Sequence, residues 1–454
     1  MTGKERILKT LSHQKADRPP WVPFAGVHAG KLKGYDAIEV LTDANKLHES
    51  LLEVHKLYSP DGMPVVFDLQ LEAEILGCEL QWNKDNPPSI KKHPLADEQS
   101  LPCKCLIPTP EAGRLPLVLD VMRRMKKDVG ETTALYGLIT GPFTLASHLR
   151  GSDIFMDMIE EEDYVKELVD FCGEVCMKMT EMFVDAGMDV IAVVDPLISQ
   201  ISTDHFEELI SPTFTAVFDF IRSKGALSSF FVCGNATRQI EAMCKTNPDA
   251  ISIDDNINLA DAKKITDKYN ITICGNIPLA GIMLFGNQQD NMKAVIGILD
   301  AVDHHNLIVS PGCDMPYATP AENTIAAALA VKETEECRTM VENYEKEVVD
   351  VVVDIPDYAN RKKVLIELFM LNSETCAACT YMLKLVADAQ DEYKDYAEYI
   401  EYKLTEKGVI PRVKKMGLKN LPAICVDGDI VWVSVIPSKD EFMTTIKEYA
   451  AKKK

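Results

Sequence analysis

Ser310-Pro-Gly-Cys-Asp-Met-Pro-Tyr-Ala-Thr-Pro-Ala-Glu-Asn323, together with Phe230-Phe-Val-Cys-Gly-Asn235, decides how this chain is read. Each stretch sets one cysteine beside a glycine directly after an apolar run, where a buried strand ends and a loop begins. Strand ends are where an α/β fold presents its chemistry, so Cys233 and Cys313 are placed to meet in one pocket. They stand too far apart in sequence for a zinc finger and suit two strands of one large barrel. The expectation is that both are metal ligands in the active site of an enzyme.

Working outward, the flanking pattern is regular. Short apolar strands are expected at 21–24, 62–67, 134–140, 189–194, 227–232, 250–253, 271–274 and 306–309. Helical patterns occupy 3–13, 36–58, 162–186, 203–224, 236–245, 259–268, 290–303 and 320–335 between them. Continuously apolar strands alternating with helices predict a parallel sheet buried on both faces. That many units favour a (β/α)8 TIM barrel over an open sheet. No G-x-G-x-x-G turn opens any of the helices, which counts against a dinucleotide site. Residues 81–116, rich in Pro, Lys and Asp, read as an excursion from the architecture.

The 454 residues are 46% hydrophobic and 26% charged, the balance of an ordinary soluble globular protein. A formal charge of −22 argues against nucleic acid or an anionic membrane as a partner, since phosphate binding needs excess Lys and Arg. With no transmembrane-length apolar run and no signal-peptide pattern at the start, a cytoplasmic protein is expected. Thirteen cysteines in such a chain suggest buried, metal-binding or redox residues ahead of a disulfide framework. Cys103-x-Cys105 and the helical pair Cys172/Cys176 lack second halves that would complete a zinc site and are read as structural.

Past a charged run at 333–347 the pattern changes, giving domains at 1–345 and 361–454 joined by a linker at 346–360. A strand at 361–370 leads to Cys376-Ala-Ala-Cys379 at a helix N-terminus, where the dipole lowers the first thiol's pKa. Leu421-Pro422-Ala423 before a later strand completes a combination that resembles thioredoxin, an α/β fold. The resemblance implies a redox role for Cys376, Cys379 and Pro422, or a docking module without one.

Asp195-Pro196, Phe231-x-Cys233-Gly-Asn, Ile251-Ser-Ile-Asp254, Cys274-Gly-Asn-Ile-Pro278 and the Pro311–Asn323 stretch follow the order of the uroporphyrinogen decarboxylase superfamily. Gly-Cys-Asp-x-Pro with an upstream Cys-Gly-Asn is similar to its methylcobalamin:coenzyme M methyltransferase branch. The decarboxylases' arginine-bearing N-terminal stretch reads here Trp21-Val-Pro-Phe-Ala-Gly-Val-His-Ala-Gly30, without arginine, so porphyrinogen decarboxylation is not expected.

The resemblance implies methyl transfer between methylcobalamin, free or on a corrinoid protein, and a small thiol such as coenzyme M, or tetrahydrofolate. It also implies zinc held by His-x-Cys and a distant Cys, with Cys233 and Cys313 as the sulfur ligands. The histidine position is Phe231, which cannot bind metal, so a third ligand would come from His28, Glu74, Asp195 or His148. Asp195, Asp254 and Asp314 would orient ligands or substrate, and Asn235 and Asn276 would donate hydrogen bonds in the pocket. Two rivals stand beside this: a thiol-redox protein acting through Cys376/Cys379, and a non-catalytic corrinoid- or tetrapyrrole-binding protein. Two buried thiols without metal is the plainest alternative for the cysteine pair.

Overall fold

The computed structural model describes residues 1–345, 353–371, 377–406, 408–418 and 420–453, and divides into two compact units, Met1–Glu345 and Lys346–Lys454.

In the first unit, apolar runs too short and too β-branched for helices become parallel strands. In chain order these are β1 (Gly62–Val66), β4 (Ala134–Thr140), β5 (Val190–Val194), β6 (Leu227–Phe231), β7 (Ala250–Ser252), β8 (Thr272–Ile277) and β9 (Leu307–Pro311). They form one curled sheet in the order β1-β4-β5-β6-β7-β8-β9, every pairing parallel. The short antiparallel pair β2 (Glu79–Gln81) and β3 (Ser89–Lys92) starts just ahead of the expected excursion and ends inside it.

The sheet's two edges are joined by Trp21. Val309 N–H donates to Pro20 O at 2.9 Å and Val22 N–H to Val309 O at 3.0 Å, while Asp61 N–H donates to Trp21 O at 2.9 Å. The expected strand at 21–24 is therefore a single bridge. Pro19, Pro20 and Pro23 have no N–H to extend a ladder. Buried Asp61 holds the junction, accepting from Trp21 N–H at 2.7 Å and from the guanidinium groups of Arg6 and Arg18.

Inward-facing Ala134, Tyr136 and Leu138 of β4 and Val190, Ala192 and Val194 of β5 share one core with Phe24, Phe67 and Phe231. Helix Gly3–Leu11 contributes Ile7 and Leu11 to the same core, and Lys4 N–H donates to Thr132 O just before β4. This helix closes the N-terminal end of the barrel and leaves the chemistry to the other end.

Two expected helices are broken. The pattern at 36–58 splits at Asp43, which leaves the helix and accepts from Asn45 and Lys46 N–H to cap the next one. The pattern at 203–224 is interrupted before Pro212, whose ring removes a helical hydrogen bond; helix Ser211–Ser223 starts afresh there. Helix Glu162–Asp185 buries the expected face, including Leu168, Cys172, Cys176 and Met179. Among the described residues, no helix is long and apolar enough to cross a membrane.

In the second unit, β10 (Val364–Met370) pairs parallel with β11 (Ala397–Lys403) and antiparallel with β12 (Ala423–Val426), which pairs with β13 (Asp429–Val433). Its core gathers Ile366, Met382, Trp432 and Phe442 around helices Ala377–Asp388 and Lys439–Lys452. Cys376 lies outside the described residues; Cys379 is buried in the first of these helices, and Leu421–Pro422 is a cis peptide ahead of β12.

Candidate active site at the barrel mouth

Cys233 and Cys313 each lie two residues beyond a strand, after β6 and β9 respectively. Their Cα atoms are 6.1 Å apart, and the structure joins their sulfurs as a disulfide. Both residues are partly exposed, packing from above on the core that contains Phe24, Phe67 and Phe231.

The two loops are fixed from below. Gly234 turns with φ +80, a conformation that a side chain would strain, and its N–H donates to Asp254 Oδ2 at 2.8 Å. Asp254 Oδ1 also accepts from Asn256 N–H and its side-chain amide, so the loops after β6 and β7 share one carboxylate. Gly312 lies so close to Asp255 that a Cβ there would meet Asp255 N at 2.6 Å. Met315 N–H donates to Phe24 O and Gly26 N–H to Asp314 Oδ1, both at 2.8 Å, tying the Cys313 loop to the segment after Trp21.

The remaining expected site residues fall into two groups. Asp314 is near the cysteines; burial of its carboxyl pushes it up to about 8, against the pull of the Gly26 and Met315 N–H groups. Asn235 Oδ1 accepts from Thr237 N–H and Oγ1, closing a local turn. Asn276 spends its amide hydrogens on Asp254 O and Ile257 O, at 2.9 and 2.8 Å, bracing the β7 loop. Asp195 is fully buried and accepts from Phe143 N–H, Thr144 N–H and Thr144 Oγ1, capping helix Pro142–Arg150; burial pushes it up to about 7.

Three of the third-ligand candidates, His28, Glu74 and Asp195, are engaged by other partners, and among the described residues no metal-holding group joins His148 to the cysteines. His28 is buried, with Nδ1 3.1 Å from Tyr317 O and Nε2 2.6 Å from Tyr58 Oη. A carbonyl only accepts, so Nδ1 donates and Nε2 accepts from the tyrosine; burial lowers the imidazole to about 4. Glu74 pairs with Arg114 at 2.7 Å. His148 is buried, lowered by desolvation to about 3, and its Nδ1 has no hydrogen-bond partner. Phe231 stacks into an aromatic floor, 4.8 Å from the Phe24 ring and 5.8 Å from Phe67.

Among the described residues, no group of three or more His, Cys, Asp or Glu side chains is arranged to hold a metal ion. Zinc ordinarily takes at least three protein donors; here two sulfurs stand over a hydrocarbon floor, and the Asp254, Asp255 and Asp314 carboxyls beside them accept from Gly234, Leu279 and Gly26 N–H. The donor set does not fit the zinc that the resemblance implies.

Two carboxyls were not singled out from sequence. Asp255 accepts from Leu279 N–H and is hydrogen-bonded to Asp254; burial first, then the facing Asp254, raises it well above the usual carboxylate range. The doublet Asp254-Asp255 at a strand end was the available signal. Glu72 is buried and raised by desolvation to about 7, accepting from Thr140 N–H and Oγ1 at the end of β4.

Cys233, Cys313, the Asp254–Asp255 pair and the aromatic floor gather at the C-terminal strand ends of a β/α barrel. The chain belongs to the uroporphyrinogen decarboxylase (URO-D) family, whose pattern matches residues 2–334. It is 29% identical over 329 residues to methylcobamide:CoM methyltransferase MtbA of Methanosarcina acetivorans, covering 71% of this chain and 95% of that protein. It is 25% identical over 344 residues to methylcobamide:CoM methyltransferase MtaA of Methanosarcina barkeri, covering 72% and 97%. A solved methyltransferase from Methanosarcina mazei shares the fold with TM-score 0.68 at 22% identity, covering 74% of this chain and 99% of its own.

Proposed function

We propose that the barrel transfers a methyl group between a corrinoid and a small thiol of the coenzyme M type. The observation that carries this is the convergence of the Cys233 and Cys313 loops at the mouth of a barrel that matches methylcobamide:CoM methyltransferases over nearly their whole length. Both relatives' names specify a thiol acceptor, which favours a thiol over tetrahydrofolate. In the reaction a thiolate sulfur attacks the cobalt-bound methyl. The C–S bond forms, the Co–C bond breaks with its electron pair left on cobalt, and the thiol proton goes to solvent.

This chain's residues supply a place for that encounter. The Phe24, Phe67 and Phe231 floor keeps water from beneath the sulfur and the methyl, which strengthens the interactions of the reacting charges. Asp314, holding its proton near neutral pH, presents a neutral carboxyl where an ionised one would repel a thiolate. Asp254, Asn235 and Asn276 keep the loops in register. Trp21–Gly30 offers no arginine for substrate carboxylates, which speaks against porphyrinogen decarboxylation.

The C-terminal unit, beyond a linker at 346–360, is read as a thioredoxin-like module. Support comes from the parallel β10/β11 pair, the antiparallel β12 and β13, and cis-Pro422 ahead of β12. Cys376, Cys379 and Pro422 would be its redox groups. Mixing the reduced protein anaerobically with methylcobalamin and 2-mercaptoethanesulfonate tests the main reading: the methylcobalamin spectrum should convert to that of cob(I)alamin. A spectrum that shifts on binding and never converts points to the non-catalytic corrinoid-binding protein.

A further inference from the structure

The chain keeps both sulfur positions of its family resemblance and has lost the partner that would make them a metal site. Phe231 is locked between Phe24 and Phe67, and His28 and Glu74 are committed to other partners. Two thiols left uncapped at that spacing have other chemistry open to them. Their Cα separation of 6.1 Å lies within the range a disulfide spans without moving the backbone.

Exposure separates the pair from the buried thiols, and its setting on two barrel strand ends separates it from the exposed Cys103 and Cys105. Eight other described cysteines are buried, and burial pushes thiols such as Cys78 and Cys244 up to about 12, where they stay protonated and inert. Cys233 and Cys313 are partly exposed, so a partner's sulfur can reach them. The loops that carry them are held by separate strands: Asp254 fixes Gly234, while Gly312 N–H donates to Ile277 O at 3.1 Å. Neither loop needs to refold for the sulfurs to bond or part.

We propose that Cys233 and Cys313 form a reversible thiol–disulfide site at the barrel mouth, in place of a zinc site, and that its reaction partner is a dithiol. A thiolate of the partner attacks one sulfur of the Cys233–Cys313 bond. That bond breaks, and a mixed disulfide forms. The partner's second thiol then displaces the protein sulfur. Two electrons pass from the dithiol to the pair, both cysteines end as thiols after taking up protons, and the partner leaves as its disulfide. One consequence rests on the methyl-transfer reading: the oxidised pair covers the mouth and the reduced pair opens it to a substrate thiol. The redox site itself does not depend on that reading.

The test uses the full chain, equilibrated anaerobically in buffers of graded reduced and oxidised dithiothreitol, quenched with acid and alkylated. Peptide mass spectrometry follows the Cys233–Cys313 linkage separately from the exposed Cys103–Cys105 pair, which the structure also joins. The linked peptide should appear and disappear reversibly along a two-electron curve. Reduced protein dialysed against zinc should retain no equivalent that Cys313→Ser removes. A pair that never links under oxidising conditions would overturn the proposal, as would one zinc per reduced chain that is lost in Cys313→Ser. Failure of methyl transfer in a protein whose pair cycles normally would count against the proposed activity and leave this site standing.

Discussion

Phe231 is the residue on which the chemistry turns. Its ring fills the place where the family resemblance puts a histidine, and it is held by two aromatic neighbours in a dry core. Phe231→His would strip those ring contacts and bury an imidazole, costing about 2–4 kcal/mol of stability, visible as a lower denaturation midpoint. The same change should raise zinc retention towards one per chain by elemental analysis, because it returns a third donor beside Cys233.

Asp195 gives a pH prediction at the same scale. Burial raises its carboxyl from the ordinary 3.8 to about 7, so the folded state binds a proton that the unfolded chain gives up. Its contribution to stability is full below the unfolded value and is lost as pH rises through about 7. Asp195→Asn should therefore flatten the decline in melting temperature between pH 5 and 7 relative to the parent protein. An unchanged slope would mean that Asp195 is ionised in the folded barrel.

At the scale of elements, the barrel depends on a closure only one residue wide. Asp61 binds Trp21 N–H and the Arg6 and Arg18 guanidinium groups, so Asp61→Ala would leave Trp21 N–H without its acceptor and Arg6 with Asp17 alone beside the seam. About 1–3 kcal/mol should be lost, measurable by denaturant unfolding.

Strands such as β4 and β5 were legible in sequence because a strand buried on both faces is almost wholly apolar, and helix Glu162–Asp185 because its apolar face repeats at helical spacing. The breaks at Asp43 and Pro212 were also written in the sequence, as a capping residue and a ring without an N–H, but longer periodic runs masked them. The apolar residues from Trp21 to Phe24 carry a strand pattern, but Pro20 and Pro23 lack the N–H groups a ladder needs, so one bridge forms. The meeting of Cys233 with Cys313 follows from two strand ends in one barrel. The aromatic floor does not, since Phe24, Phe67 and Phe231 become neighbours only when the sheet curls.

At the scale of the whole molecule, the family match ends at residue 334, and the methyltransferase relatives align with 71–72% of the chain. The second unit, with its own core around Trp432 and Phe442, is an addition to the barrel. A barrel with an uncapped cysteine pair and a unit with a C-x-x-C sequence make a chain in which methyl transfer and thiol redox chemistry can be read separately, one by product and the other by linkage.

The most direct measurement is product analysis with methylcobalamin carrying a trideuterated methyl group, reduced full-length protein and 2-mercaptoethanesulfonate under anaerobic conditions. The account predicts the trideuteromethyl thioether in amounts equal to the cob(I)alamin formed, and none from protein whose Cys233 and Cys313 are linked. Reduced, folded protein that consumes no methylcobalamin with any small thiol offered would contradict it.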